Sequence, residues 1–227
     1  MQAQFNFTSI GVIHSCFRQK FGVPRQPGLA PAAKACVELI PPYNVSEALS
    51  DLQGISHIWL VFAFHLNRSP KWKPRVRAPR LGGNKSLAVF ASRSPYRPNP
   101  IGLSVVELLA VEASRLWVSG VDIVDGTPIL DIKPYVPYTD AITGASNPIA
   151  PQEPQKLSVV FSESALALCR AAPQPELQGL IVQVLSLDPR PQYHAMDNQR
   201  IYGISLFDKN IRWKFQSATQ IIVLDIQ

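Results

Sequence analysis

Cysteine is scarce: Cys16, Cys36 and Cys169 stand far apart in a chain of 227 residues. No CxxC pair and no Cys/His spacing of a zinc site occurs, so neither a disulfide framework nor a structural metal is expected, and the thiols read as reduced groups in a cytosol. No GxGxxG follows a strand, no P-loop is present and no serine sits in a nucleophile elbow. That removes the dinucleotide-binding sheet, the phosphate cradle and the α/β-hydrolase type of site. The glycine pair in "RLGGNK" reads as a tight turn. No apolar run approaches the roughly 18 residues of a membrane span. The start "MQAQFNFTSIGVIHS" has neither the basic head nor the apolar core of a signal peptide, so a cytoplasmic protein is expected. Acids are the rarer charge, 16 against 22 Lys and Arg, and the net charge of +6 favours a polyanionic partner such as nucleic acid.

The segments that are present read mostly as strands. "FNFTSIGVIHS", "ACVELI", "SLAVFAS", Ser104–Glu112, Arg115–Asp122 and Pro128–Pro134 are short, rich in β-branched and aromatic residues, and bounded by turn signals. "SHIWLVFAFHL" is a continuous apolar run and reads as a strand buried on both faces. "NVSEALSDLQGI" carries a helix start, with Asn44 or Ser46 as cap and Gly54 as stop. This pattern predicts an all-β barrel or sandwich over residues 1–140. Residues 141–154 are polar and proline-rich and read as a linker. Over 155–227, "KLSVVFS" is a strand, "ESALALCRA" and "PELQGLIVQVLSL" are helices, and strands follow, which predicts a small α+β domain.

Three stretches carry chemistry. "SRSPYRPNPIGLS" holds three prolines, so it is a stiff loop displaying Arg93, Tyr96, Arg97 and Asn99; the guanidiniums point to an anionic or carboxylate-bearing ligand. Lys71, Lys73, Arg75, Arg77 and Arg80 surround Trp72, a pattern of cations for phosphates and a ring for stacking; Arg190, Lys209, Arg212 and Lys214 form a second basic cluster beside Trp213. In "DIVDGTPILDIKPY" the acids Asp122, Asp125 and Asp131 are set too apolarly for a calcium loop, and Asp125-Gly126 reads as a turn. Asp131 and Lys133 share one strand face, either as a buried ion pair or as a grip on an amino-acid-like ligand. His14 and His57 read as structural; His65, where a strand gives way to a loop, fits a structural and a site role equally.

"GVIHS", "KFGVPRQPGL", "SHIWLVFAFH", "RAPRLGG", "VFASRSPYRPNPIGLSVVEL" and "DIVDGTPILDIKPYVPY", continued in "LDPRPQY" and "DKNIRWKF", together resemble the TsaA-like, YaeB/TrmO family over almost the whole chain. The resemblance implies a mainly β protein with an N-terminal β-barrel and a small α+β C-terminal domain. It implies S-adenosylmethionine-dependent methylation of the exocyclic N6 of threonylcarbamoyladenosine beside the tRNA anticodon, by a homodimer. Motif matching implies cofactor contacts at Pro24, Arg25, Gln26, His65, Leu66, Arg93, Leu103, Asp125, Gly126, Thr127, Asp131 and Lys133. A sulfonium methyl is already activated, so no protein nucleophile is required, but a base must take the nitrogen's proton. Asp131 is the first choice, Asp125 the second, with Tyr135 and His65 behind them. Arg93, Arg97 or Lys133 would meet the threonyl carboxylate, and Lys71, Lys73, Arg75, Arg97, Arg190 and Arg212 would contact tRNA. The competing readings are a non-catalytic RNA-binding barrel and a cofactor-dependent hydrolase or sensor.

Overall fold

The computed structural model describes residues 3–67, 72–77, 85–190 and 197–227. Six antiparallel strands close into a barrel in the order β1-β2-β7-β6-β3-β8: β1 Gly11–Ser15, β2 Lys34–Leu39, β3 His57–Ala63, β6 Ile101–Glu112, β7 Arg115–Ser119 and β8 Thr127–Pro134. Alternation explains the closure. Ile13, Val37, Leu39, Ile58, Leu60, Val106, Leu116, Val118 and Ile129 point inward and are buried, and joining the last strand to the first leaves no open edge. The run "SHIWLVFAFHL" departs from its reading. Only Ile58, Leu60 and Phe62 of β3 are buried, whereas Trp59 and Val61 face outward and stay partly exposed, because a barrel covers one face of a strand.

Two further expectations are corrected. "NVSEALSDLQGI" forms two 3-10 turns, Ser46–Ala48 and Ser50–Leu52, rather than an α-helix, and neither Asn44 nor Ser46 caps it. Leu49 alone in that stretch is buried, so there is no apolar stripe to hold a longer helix against the barrel. "SLAVFAS" is strand only over β5 Ser86–Ala88, which pairs with β4 Arg75–Arg77; Val89–Ala91 then turns as a 3-10 segment around buried Val89.

Antiparallel order puts alternate connections at one end. The β1–β2 loop, the long excursion from β3 to β6 and the β7–β8 loop all open at the same mouth. Two glycines shape it. Gly120, at φ +72°, ends β7 where the backbone of Gly28 passes, and a Cβ there would lie 3.3 Å from the Gly28 Cα. Gly102 of β6 sits opposite Phe62, and a Cβ would come within 2.3 Å of that ring. Gly102→Ala is therefore expected to cost about 1–3 kcal/mol by overpacking. The check is a lower denaturant midpoint at unchanged m-value; an unshifted midpoint would show that the ring has room to yield.

Beyond the short α1 Pro137–Asp140, the C-terminal unit is a four-stranded sheet, β10 Tyr202–Leu206, β11 Lys209–Ser217, β12 Gln220–Ile226 and β9 Ser158–Phe161, backed by α2 Glu163–Ala171 and α3 Leu177–Ser186. The Ser162 hydroxyl caps α2 by accepting from Ala165 N at 3.1 Å. This unit docks on the β1–β2 loop. Phe207 N donates to Cys16 O at 2.7 Å, Ala32 N to Gln183 Oε1 at 2.7 Å, and Lys34 pairs with Glu176 at 3.7 Å. One apolar core runs through both units, from Ile13 and Phe17 to Leu180 and Trp213. Among the described residues no helix is long and apolar enough to cross a membrane, and no group of three metal-ligating side chains occurs.

Candidate active site

The mouth is stitched from backbone and short side chains. Ser15 Oγ donates to Ile123 O at 2.7 Å, Asp125 N to Phe17 O at 2.9 Å and Gly126 N to Ile13 O at 2.9 Å, which ties the β7–β8 loop to β1. The proline-rich loop is braced from within. Arg97 donates to Val89 O at 3.2 Å and Ser92 O at 2.7 Å, Tyr96 N to Ser94 Oγ at 3.3 Å, and Asn67 Nδ2 to Pro95 O at 2.8 Å. Arg97 thus holds the loop in shape, while Arg93 stays exposed and donates to Gln26 Oε1 of the β1–β2 loop.

Between these loops lies a cavity of about 360 Å³, lined by Phe62, Phe64, His65, Tyr96, Asp122 and Thr127 among others. Asp122 is its half-buried carboxylate. Ser104, itself buried on β6, donates to Asp122 Oδ1 at 2.6 Å. Burial pushes the Asp122 carboxyl up to about 6, against the opposing pull of the Ser104 hydroxyl and the Arg93 charge. Burial also holds His65 below its ordinary value. Lys20 stands at the rim, donating to Leu66 O at 3.1 Å. No thiol serves as nucleophile: all three cysteines are buried, and burial pushes Cys16 up to about 12.

The residues singled out in the sequence fall into four places. His65, Leu66 and Thr127 line the cavity, Gln26 and Arg93 pair with each other, and Pro24 of the β1–β2 loop is buried. Arg25 faces Asp188 of the C-terminal unit, whose carboxyl burial raises and Arg190 and Arg25 lower. Asp125 accepts from Ser15 N at 3.0 Å and pairs with Arg18, so its carboxylate fastens the loop; Gly126 turns the same loop. Asp131, Lys133 and Leu103 stand on the outer wall, because Val61 of β3 is registered with Leu103 on one side and Asp131 on the other. The Asp131–Lys133 pair, 2.8 Å apart, has side chains 47% and 64% exposed, which removes the buried-ion-pair alternative. Tyr135 lies farther along that wall, its ring 6.0 Å from Trp59 and 6.3 Å from His57.

Of the basic residues, Lys73 and Arg75 border the proline-rich loop, and Lys71 lies outside the described residues. Arg190 is engaged with Asp188 at 3.1 Å and packs over Phe215, and Arg212 lies on β11. Asp122 and Lys20 also line the cavity, and neither is among the site residues expected from sequence. Asp122 was visible as the acid that closes the strand read over Arg115–Asp122, but only the barrel brings Ser104 against it.

The family profile described as the tRNA-methyltransferase O N-terminal domain matches residues 12–141, and that of the TrmO C-terminal domain matches residues 154–227. A Pseudomonas aeruginosa protein named putative S-adenosylmethionine-dependent methyltransferase RcsF is 50% identical over 220 residues, covering 96% of this chain and 95% of its own. The Escherichia coli tRNA (adenine(37)-N6)-methyltransferase is 42% identical over 224 residues, covering 95% of each chain. The crystal structure of TrmO from Pseudomonas aeruginosa superposes with a TM-score of 0.86 at 42% identity, covering 99% of both chains. With both profiles matched in order and relatives aligned nearly end to end, the chain belongs to the tRNA-methyltransferase O family.

Proposed function

We propose that the barrel mouth is where this chain methylates the exocyclic N6 of threonylcarbamoyladenosine, the modified base beside the tRNA anticodon, and that Asp122 receives the displaced proton. The chain is an S-adenosylmethionine-dependent tRNA methyltransferase of the adenine-N6 class, in keeping with its family and its relatives' names. The cavity's donor set suits that cofactor. Apolar walls from Phe62, Phe64 and Ile123 fit a purine and the carbons around a sulfonium. A half-buried carboxylate favours a cation, and Arg93 and Lys20 at the rim fit amino-acid carboxylates. Gln26, His65, Leu66 and Thr127 are the residues that would hold the cofactor, with Lys20 toward its carboxylate, which leaves Arg93 for the threonyl carboxylate of the base. When bound, the cofactor supplies a methyl group already activated on sulfur, which accounts for a site without a nucleophile.

The protein's own work is orientation and proton removal. The braced proline-rich loop and the stitched β7–β8 loop fix the walls before substrate arrives, so little ordering cost remains at binding. Asp122, held by Ser104, is a stronger base than an ordinary aspartate and is still ionised at neutral pH. That single observation carries the assignment: Asp122 has burial, an orienting partner and access to the cavity, whereas Asp125 is fastened to Arg18 and Asp131 stands on the outer wall. The outer wall has its own place in the proposal. Leu103, 54% exposed, lies beside Val61 and Asp131, and a second copy covering this wall would make a homodimer with these residues at its seam. A cytoplasmic setting, where tRNA is found, completes the reading.

The test is transfer of a labelled methyl group from S-adenosylmethionine to total tRNA of a strain lacking this protein, followed by nucleoside analysis. Label is expected on N6 of the threonylcarbamoylated adenosine. Label on another position, or none, would remove the proposal.

A further inference from the structure

Between Asp51 and Glu107 the chain has no acid at all: residues 52–106 hold nine Lys or Arg and no Asp or Glu. That stretch carries two large aromatic side chains turned to solvent, Trp72 at 48% and Phe90 at 71% exposure. Their rings are nearly parallel, 23° between planes and 6.4 Å between centroids. Neither is a packing defect. Val89 fills the core side of the 3-10 turn at 1% exposure, so Phe90 must point outward. The two segments are laced together, Val89 N donating to Pro74 O at 3.0 Å and Lys73 N to Tyr96 O at 3.3 Å, so the rings are displayed from a braced surface. The Arg97 guanidinium lies 5.6 Å from the Phe90 centroid, and Lys73 Nζ lies 4.9 Å from that of Tyr96, which lines the mouth cavity. Rings, cations and cavity therefore form one continuous surface.

We propose that Trp72 and Phe90 are a stacking platform for an unpaired nucleobase of the anticodon loop next to the base being methylated, with the exposed Lys73, Arg75 and Arg77 set for the flanking phosphates. This rests on the reading of the mouth as the methyl-transfer site. The charge pattern selects the occupant. A second copy of the chain would bring the same acid-free, cationic stretch against itself, whereas a single-stranded polyanion with exposed π faces meets both features. A platform also answers a mechanical need. A base in a stacked loop reaches a recessed cavity only by leaving its neighbours, and a surrogate stack for one neighbour offsets part of that cost.

The experiment uses the full chain and an anticodon stem-loop RNA with 2-aminopurine beside the target position. Binding to wild type should change the 2-aminopurine emission, and Trp72→Ala with Phe90→Ala should abolish that change and weaken affinity about 10- to 100-fold. Trp72→Tyr should retain most of the affinity. The logarithmic salt slope should be unaltered in the aromatic variant but fall by about 2 when Lys73, Arg75 and Arg77 are replaced by alanine. Methyl transfer by wild type with unchanged stem-loop affinity in the aromatic variant would overturn the platform and leave the methyltransferase reading intact. A change in oligomeric state without loss of RNA affinity would assign the rings to a subunit contact and also overturn it. Absence of methyl transfer by wild type, with the platform effects present, would sink the activity alone.

Discussion

Asp122→Asn should lower turnover by roughly 10²- to 10⁴-fold, the usual contribution of a positioned general base. The change keeps the shape of the side chain and an oxygen to accept the Ser104 hydroxyl, so cofactor affinity should stay within a few-fold of wild type. The pH dependence follows from the direction of the shift. Burial raises the carboxyl from 3.8 to about 6 in the folded protein, so wild-type kcat/KM should climb through that region and level off above it. His65 lines the same cavity and titrates below its ordinary value, Arg93 acts on Asp122 by charge, and Lys20 and Tyr96 stand at the rim. His65→Asn should therefore keep the acid limb, while Asp122→Asn should lose it. Stability should move the opposite way. Between pH 3.8 and about 6 the folded state holds a proton that the unfolded state has released, so stability falls as pH rises through this window. Above it the penalty is complete, of the order of 3 kcal/mol. The cofactor-free Asp122→Asn variant should thus melt several degrees higher than wild type at pH 8 and show no such gain at pH 4. Near-normal turnover would return the base role to the other carboxylates. Collapse of cofactor binding would make Asp122 a cofactor contact.

Much of the architecture was legible because it depends on local pattern. Short β-branched runs bounded by turn signals mark β1, β2, β7 and β8, and the helical pattern of "ESALALCRA" marks α2. The elements that were misread depend on what covers them. "SHIWLVFAFHL" is apolar throughout, and only barrel closure decides that Trp59 and Val61 face outward. The site divides along the same line. The stiff loop around Arg93 is written in its prolines, but the motif "DGTPILDIKPY" spans the mouth and then climbs the outer wall. A specific motif therefore mixes residues of two locations, and from sequence Asp131 looks as close to the cavity as Thr127. Asp122 stands out only when Ser104, eighteen positions earlier, is folded against it. Exposure of Phe90 was equally hidden, since "SLAVFAS" reads as one strand until buried Val89 forces the turn.

A tRNA lacking the threonylcarbamoyl group should be a poor substrate, with kcat/KM lowered by about 10³-fold. Two chemical differences add up. The carbonyl on N6 withdraws electron density and acidifies the N–H, and a carboxylate with a pKa near 6 can take a proton from such a group as the new N–C bond forms. The plain adenine amine is a far weaker acid, and losing this match costs on the order of 10²-fold. The threonyl carboxylate is the second difference. Cofactor and modified base each bring one carboxylate, and Arg93 and Lys20 stand among the cations at the mouth. Arg93 is exposed, so an unmatched guanidinium is simply rehydrated, and its lost contact amounts to about 1 kcal/mol, near tenfold. Acidity should therefore dominate and appear in kcat, while the cation appears in KM. Single-turnover methylation of the two tRNAs separates them, and Arg93→Ala should narrow the difference in KM without touching that in the rate of chemistry. Equal single-turnover rates on modified and unmodified tRNA would exclude threonylcarbamoyladenosine as the determinant and leave adenine itself as the substrate.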